Sequence, residues 1–180
     1  MHPRLSEIAD YLDASRAVLL SAVGDVPEER RDDRVRDDVW TVGEVLDHLV
    51  LVEGSVSRVL ERRVERARAE GLGAEGETSS VLACLDEHGV DGLARRIEAP
   101  EMVRPRAGAR AREALSSLAD TRRALREAMD RVDGLDLTAV SARHPVLGDL
   151  HLYQWLVMVG KHERRHALQI ESLGAALQPR

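Results

Sequence analysis

With 180 residues, the chain has room for one domain with a sizeable core and is short for two. A 43% hydrophobic content supports a globular core, and 32% charged residues suit long helices with solvated faces. The net charge of −6 argues against the basic footprint a nucleic-acid partner requires, and with no Phe, two Trp and two Tyr the platforms on which bases stack are missing.

The amino-terminal stretch MHPRLSEIADYLDASRAVLL is charged throughout and has no apolar core of the kind a secretion signal carries. It predicts a helix from about Leu5 to Val23, with Leu5, Ile8, Leu12, Ser15, Leu19 and Ala22 on one stripe. Gly24 ends that helix, and Pro27 marks the loop beyond. Thr41 and Glu44 form a capping-box pattern that opens a second helix running to about Ala69. Near its end Arg62, Arg63, Arg66 and Arg68 interleave with Glu61, Glu65 and Glu70, which reads as a solvated face rather than a binding patch. After the turn-rich GLGAEGETSS, a shorter helix is expected over Val81–His88, resuming from Val90 to Ile97. Cys84 stands alone, so no intramolecular disulfide can form, which fits a reducing compartment.

Pro100 and Pro105 mark an irregular connection before the third long helix, about Arg110 to Arg131, with Ala114, Leu118, Leu125 and Met129 facing the core. LDLTAVSARHPVLG reads as a loop, since no segment alternates like a strand. The fourth helix is expected from Asp149, as N-cap, to Leu173, with Gly174 as its stop. No stretch approaches the roughly 18 apolar residues of a membrane span. The expectation is a soluble, cytoplasmic, all-α four-helix bundle formed by residues 1–180 as a single domain, with a short extra helix between helices two and three.

Seven histidines are present. His2 is terminal, His88 sits beside a glycine, and His144 precedes Pro145 in the expected loop. His162 and His166 differ: four residues apart, they project from one helix face, on a stripe with Trp155, Met158, Val159, Gln169, Ile170 and Leu173. His48 likewise interrupts the stripe Val45, Val52, Val56 and Val59. A buried imidazole must be hydrogen-bonded or coordinated. Two at i, i+4 with a third on another core face suit a metal, although core histidines satisfied by carbonyls or carboxylates remain the alternative. His151 shares the face of His162 but stands about 16 Å away along the axis, too far to share an ion.

HERRH, His162–His166, literally fits the H-E-x-x-H of zinc proteases, in which Glu163 would be the general base. The context goes against that reading: Gln169 and Ser172 occupy the positions where one group of such enzymes carries a glycine and the third histidine, and only fourteen residues follow His166, with Glu171 the sole carboxylate for the group that needs a glutamate well beyond the motif. Trp40–Val50, WTVGEVLDHLV, resembles instead the second-helix signature of the DinB/YfiT-like family. His144–Ile170, HPVLGDLHLYQWLVMVGKHERRHALQI, is similar to that family's final helix with its His-x-x-x-His pair, and APEMVRP is similar to a connection seen in many members. The resemblance implies a metal at His48, His162 and His166, zinc or nickel most often, in a frequently dimeric bundle. It further implies that some members are S-transferases or isomerases using a low-molecular-weight thiol, such as bacillithiol or mycothiol, against an electrophilic small molecule.

Three neutral imidazoles on a divalent ion leave a coordination position open, as catalytic sites do. Zinc and nickel both suit this donor set, and iron or manganese also fit. Each ligand should pass its other ring N–H to an acceptor, for which Glu44 and Glu163 are the candidates. Three functions follow: a metal-dependent enzyme of thiol transfer or related chemistry, a metal-binding stress-related or regulatory protein without turnover, and a metal-free helical interaction module. An apolar stripe including Val18 and Leu20 is the candidate surface for a homodimer.

Overall fold

Each of the four expected long helices forms in the computed structural model, which describes residues 1–90, 92 and 98–177. They are α1 (Pro3–Gly24), α2 (Val42–Ala69), α3 (Ala111–Arg131) and α4 (Leu152–Leu177). All six stripe residues named for α1 are buried, as are Ala114, Leu118, Leu125 and Met129 of α3. Thr41 caps α2 with a complete capping box: its hydroxyl accepts from the Glu44 amide, and the Glu44 carboxylate accepts from the Thr41 amide. Helix α1 packs on α4, α3 on α2, and α2 on α4. No described helix is long and apolar enough to cross a membrane.

The connections differ from expectation in three places. The extra helix is a tight 3-10 stretch over Leu82–His88, and the segment expected to resume as helix to Ile97 lies largely outside the described residues. The expected loop before the fourth helix contains an antiparallel hairpin, β1 (Ser141–His144) with β2 (Gly148–His151), in the register Ala142↔Leu150 and Arg143↔Asp149. Gly148 has φ +82, a left-handed conformation that favours glycine after the turn at 145–147. Helix α4 therefore starts at Leu152 rather than Asp149. The His151 amide donates to Gln154 Oε1 and the Gln154 amide donates back to His151 Nδ1, a reciprocal cap. Gly174 does not stop the helix but sits inside it, where an added Cβ would lie 3.0 Å from Val26 Cγ2.

The apolar core falls into two parts. One gathers Leu12, Val56, Leu125 and Val159 with Tyr153 and Trp155, the other Leu19, Leu49, Leu118 and Ala167. Between these pairs, each helix contributes one charged side chain to a shared layer: Arg16, Glu53, Arg122 and Glu163. The Arg122 Nε donates to Glu53 at 2.5 Å and its Nη2 to Glu163 at 3.0 Å; Arg16 reaches Glu163 at 2.6 Å and Glu53 at 2.9 Å. Both carboxylates are only 2% exposed. Two cations and two anions thus form a neutral layer that ties all four helices together. Val18 and Leu20 are exposed on α1.

Candidate metal centre

The three core-facing histidines converge. His162 Nε2 lies 3.3 Å from His48 Nε2 and 3.1 Å from His166 Nε2. One ring nitrogen from each lies within 4.8 Å of the others. His48 and His166 are buried and His162 is half-buried, and a chain separation of 114 residues between His48 and His162 means only the tertiary fold assembles the cluster.

Each side chain is set from outside. The segment after Pro100 makes a single 3-10 turn, Glu101–Val103, that brings the Val103 carbonyl 2.6 Å from His48 Nδ1. Asp47 anchors that strap: its buried carboxylate accepts from the Arg106 amide at 2.8 Å and from Arg106 Nη2 at 2.7 Å. Against the cost of burial, these Arg106 bonds hold the Asp47 carboxyl below its ordinary pKa. Trp40 stands beside His48, with ring centres 5.1 Å apart. His166 Nδ1 lies 2.8 Å from Gln169 Oε1, its neighbour one turn on. The outer-shell acceptors are thus a backbone carbonyl and Gln169, not Glu44 or Glu163. Glu44 is occupied by the cap, Arg34 and the Gly108 amide. The Glu163 carboxylate points into the charged layer and does not line the cleft that reaches the histidines.

These contacts dictate tautomers. A carbonyl opposite Nδ1 requires Nδ1–H on His48, and Gln169 Oε1 requires the same on His166. Both Nε2 atoms then carry lone pairs aimed at His162 Nε2, which as a donor can satisfy one of them well. Meanwhile His162 Nδ1 is buried without a hydrogen-bond partner among the described residues. A cation at the convergence point satisfies all three Nε2 lone pairs at once. With N–metal bonds of about 2.0–2.1 Å, a tetrahedral site has N···N edges of about 3.3–3.4 Å, close to the 3.1 and 3.3 Å separations here. The donor set therefore fits a divalent ion. Burial, reinforced by the neighbouring imidazoles, pushes His162 well below the ordinary histidine pKa and His166 down to about 3; burial also lowers His48. All three are held neutral, the form that coordinates.

A cleft of about 1450 Å³ opens onto the cluster, walled by α2, the 98–105 strap, the turn of the hairpin and α4. Trp155, Met158, Val52 and Val59 form apolar parts of the wall, and arginines from α2 line it as well. Arg62, Arg63 and Arg66 of the arginine face are exposed, as expected, and also border the cleft, while Glu61, one of the interleaved acids, pairs with Arg131 of α3. Of the other histidines, His144 lines the cleft and takes the Val146 and Leu147 amides on Nδ1, His151 caps α4, His88 ends the 82–88 turn, and His2 caps α1. None of these four belongs to the cluster.

The family model described as the DinB superfamily matches residues 11–170. The uncharacterized protein YuaE of Bacillus subtilis (strain 168) is 25% identical over 150 residues, covering 81% of this chain and 84% of its own. A solved structure titled TT2238, a four-helix bundle protein, superposes with a TM-score of 0.59 at 23% identity, covering 93% of this chain and 98% of that one. That likeness carries the fold.

Proposed function

Because the chain belongs to the DinB superfamily, we propose that its three-histidine cluster holds one divalent metal ion and that the cleft above it delivers a small molecule, a thiol foremost, for metal-dependent transfer to an electrophile. The observation that carries this reading is the lone-pair arrangement: two imidazoles with Nδ1 committed to acceptors present Nε2 to a third, half-buried imidazole within 3.3 Å. When bound, the ion would supply Lewis acidity that holds a thiol as its nucleophilic thiolate, or a water as hydroxide, near neutral pH.

The protein's own residues do the rest. His48, His162 and His166 are the ligands. The Val103 carbonyl and Gln169 orient two of them, and Asp47 with Arg106 holds the strap that carries Val103. Trp155 and Met158 keep water from one wall, and the open side of the cluster faces the cleft, where a second reactant can approach. Glu163 is a structural ion-pair residue in this reading, which disfavours a zinc-protease mechanism requiring it as base.

Thiol consumption tests the proposal. Metal-loaded protein incubated with a panel of low-molecular-weight thiols and an alkylating electrophile should accelerate loss of at least one thiol, and chelation should abolish the acceleration. Metal-loaded protein that binds its ion yet consumes no thiol would leave a binding role without turnover.

A further inference from the structure

The cleft has a charge of its own. Eight arginines and two carboxylates line it among the described residues, in a chain whose net charge is −6. The two carboxylates are answered locally, Asp38 by Arg36 and Glu98 by Arg104. Arg66 is paired with Glu70, and Arg165 donates to the Gly92 carbonyl. Arg58, Arg62 and Arg63 make no ion pair or hydrogen bond among the described residues. Arg58 and Arg62 stand one helical turn apart, a like-charge pair that costs an isolated helix stability. Here the interleaved Glu61 is turned to α3.

Helix geometry orders the cleft lengthwise. From His48, the α2 face passes Val52 and Ser55 before reaching the arginines; Arg58, beside Val59, and Arg62 stand about 15 and 21 Å from His48 along the axis. Val52, Val59, Met158 and Trp155 all line the cleft. The groove is thus nitrogen donors at one end, apolar wall between, and unanswered guanidinium groups at the other.

We infer that the cleft binds an elongated small-molecule anion, its carboxylate or phosphate held by Arg58, Arg62 and Arg63, its apolar body against Val52, Val59 and Trp155, and its reactive end at the histidines. Guanidinium forks match both anions in geometry and hold them by paired, charge-assisted bonds. Only the placement of the reactive end rests on the metal-centre reading; the anion subsite stands on the arginines.

The test uses the full chain loaded with zinc, its metal content measured first, and calorimetric titration with three probes: mercaptoundecanoate, mercaptoundecyl phosphate and uncharged mercaptoundecanol. At least one anionic probe should bind about tenfold or more tighter than the alcohol, and added salt should weaken the anion alone. Whichever anion is favoured identifies the group. The triple variant R58Q/R62Q/R63Q should lose the preference with helicity and metal content unchanged. Equal affinity for all three probes, no detectable binding of either anion, or a preference that survives in the triple variant would overturn the subsite. The His48→Ala variant separates the two readings: if the wild type binds no zinc, or His48→Ala keeps all of it, the metal centre fails, while the anion preference measured on the same samples stands or falls by itself.

Discussion

Arg122→Met tests whether the charged layer organises the bundle. Arg122 Nε and Nη2 serve Glu53 and Glu163, and Nη1 donates to the Leu12 carbonyl at 2.8 Å, so three elements lose a partner at once. Burial works against the Arg122 charge, but Glu163 and Glu53 more than offset it and hold its pKa above the ordinary arginine value. Methionine fills much of the volume but leaves two carboxylates, each 2% exposed, with Arg16 as their shared cation and the Thr121 hydroxyl donating to Glu53. Removing one partner from a buried pair costs about 3–5 kcal/mol, because an uncompensated charge stays behind. For a chain this long, each kcal/mol moves the melting temperature by roughly 2–4 °C, so a fall of roughly 6–20 °C is expected. Urea unfolding followed by circular dichroism measures the free energy directly. A double variant, Arg122→Met with Glu163→Leu, should recover part of the loss by restoring neutrality. A cost below about 1 kcal/mol, the value typical of exposed pairs, would refute the claim that this layer holds the four helices in register.

Glu163→Gln should likewise lower stability while leaving metal content and thiol turnover intact; lost turnover at unchanged stability would restore Glu163 as a general base. Asp47→Ala frees the strap that brings the Val103 carbonyl to His48, so metal affinity should fall about 10–100-fold, as read by competition with a chelating dye; unchanged affinity would show that the strap needs no anchor. Gly43→Ala would place a Cβ 2.2 Å from the Ala109 carbonyl and 2.8 Å from the Ala111 amide, forcing backbone to move at a cost of about 1–3 kcal/mol in urea unfolding; a neutral result would contradict the close approach of α2 to the start of α3. For metal-free protein, the three histidines have lowered folded-state pKa values, so above about pH 6.5 they add no penalty. As pH falls below that value the unfolded chain gains protons that the folded chain refuses, down toward the His166 value of about 3. Stability should therefore drop by up to about 1.4 kcal/mol per pH unit for each histidine, a slope that His166→Gln should reduce; an identical slope in both proteins would show that His166 is not held neutral.

The helices and the three clustered histidines were legible because both depend on a local period. Leu5, Ile8 and Leu12 repeat at helical spacing, and His162 and His166 occupy one face by virtue of being four apart. What partners the histidines was not legible: the Val103 carbonyl is a backbone atom brought in by a strap, and Gln169 reads as one more stripe residue until His166 is seen turned toward it. The hairpin escaped because its strands are four residues long, with only Ala142 and Leu150 buried, too short for an alternation to show. Its presence displaced the start of α4, moving the cap from Asp149 to His151. The charged layer escaped for a different reason. Arg16, Glu53, Arg122 and Glu163 each look like ordinary surface charges, and only the meeting of four helices makes them buried counter-ions. The arginines of α2 are exposed, as a solvated face requires, and that Arg62, Arg63 and Arg66 also border a cleft depends on the strap and hairpin packed beside α2, which no local period announces.

Metal content per chain is the most direct measure of the central claim. Protein purified without a histidine tag, reconstituted with zinc or nickel and desalted, should carry close to one ion, by mass spectrometry of the metal. Each of His48→Ala, His162→Ala and His166→Ala should reduce this to a small fraction, while His88→Ala and His144→Ala, which lie outside the cluster, should retain it. Equal metal content in the wild type and all three cluster variants would contradict the account.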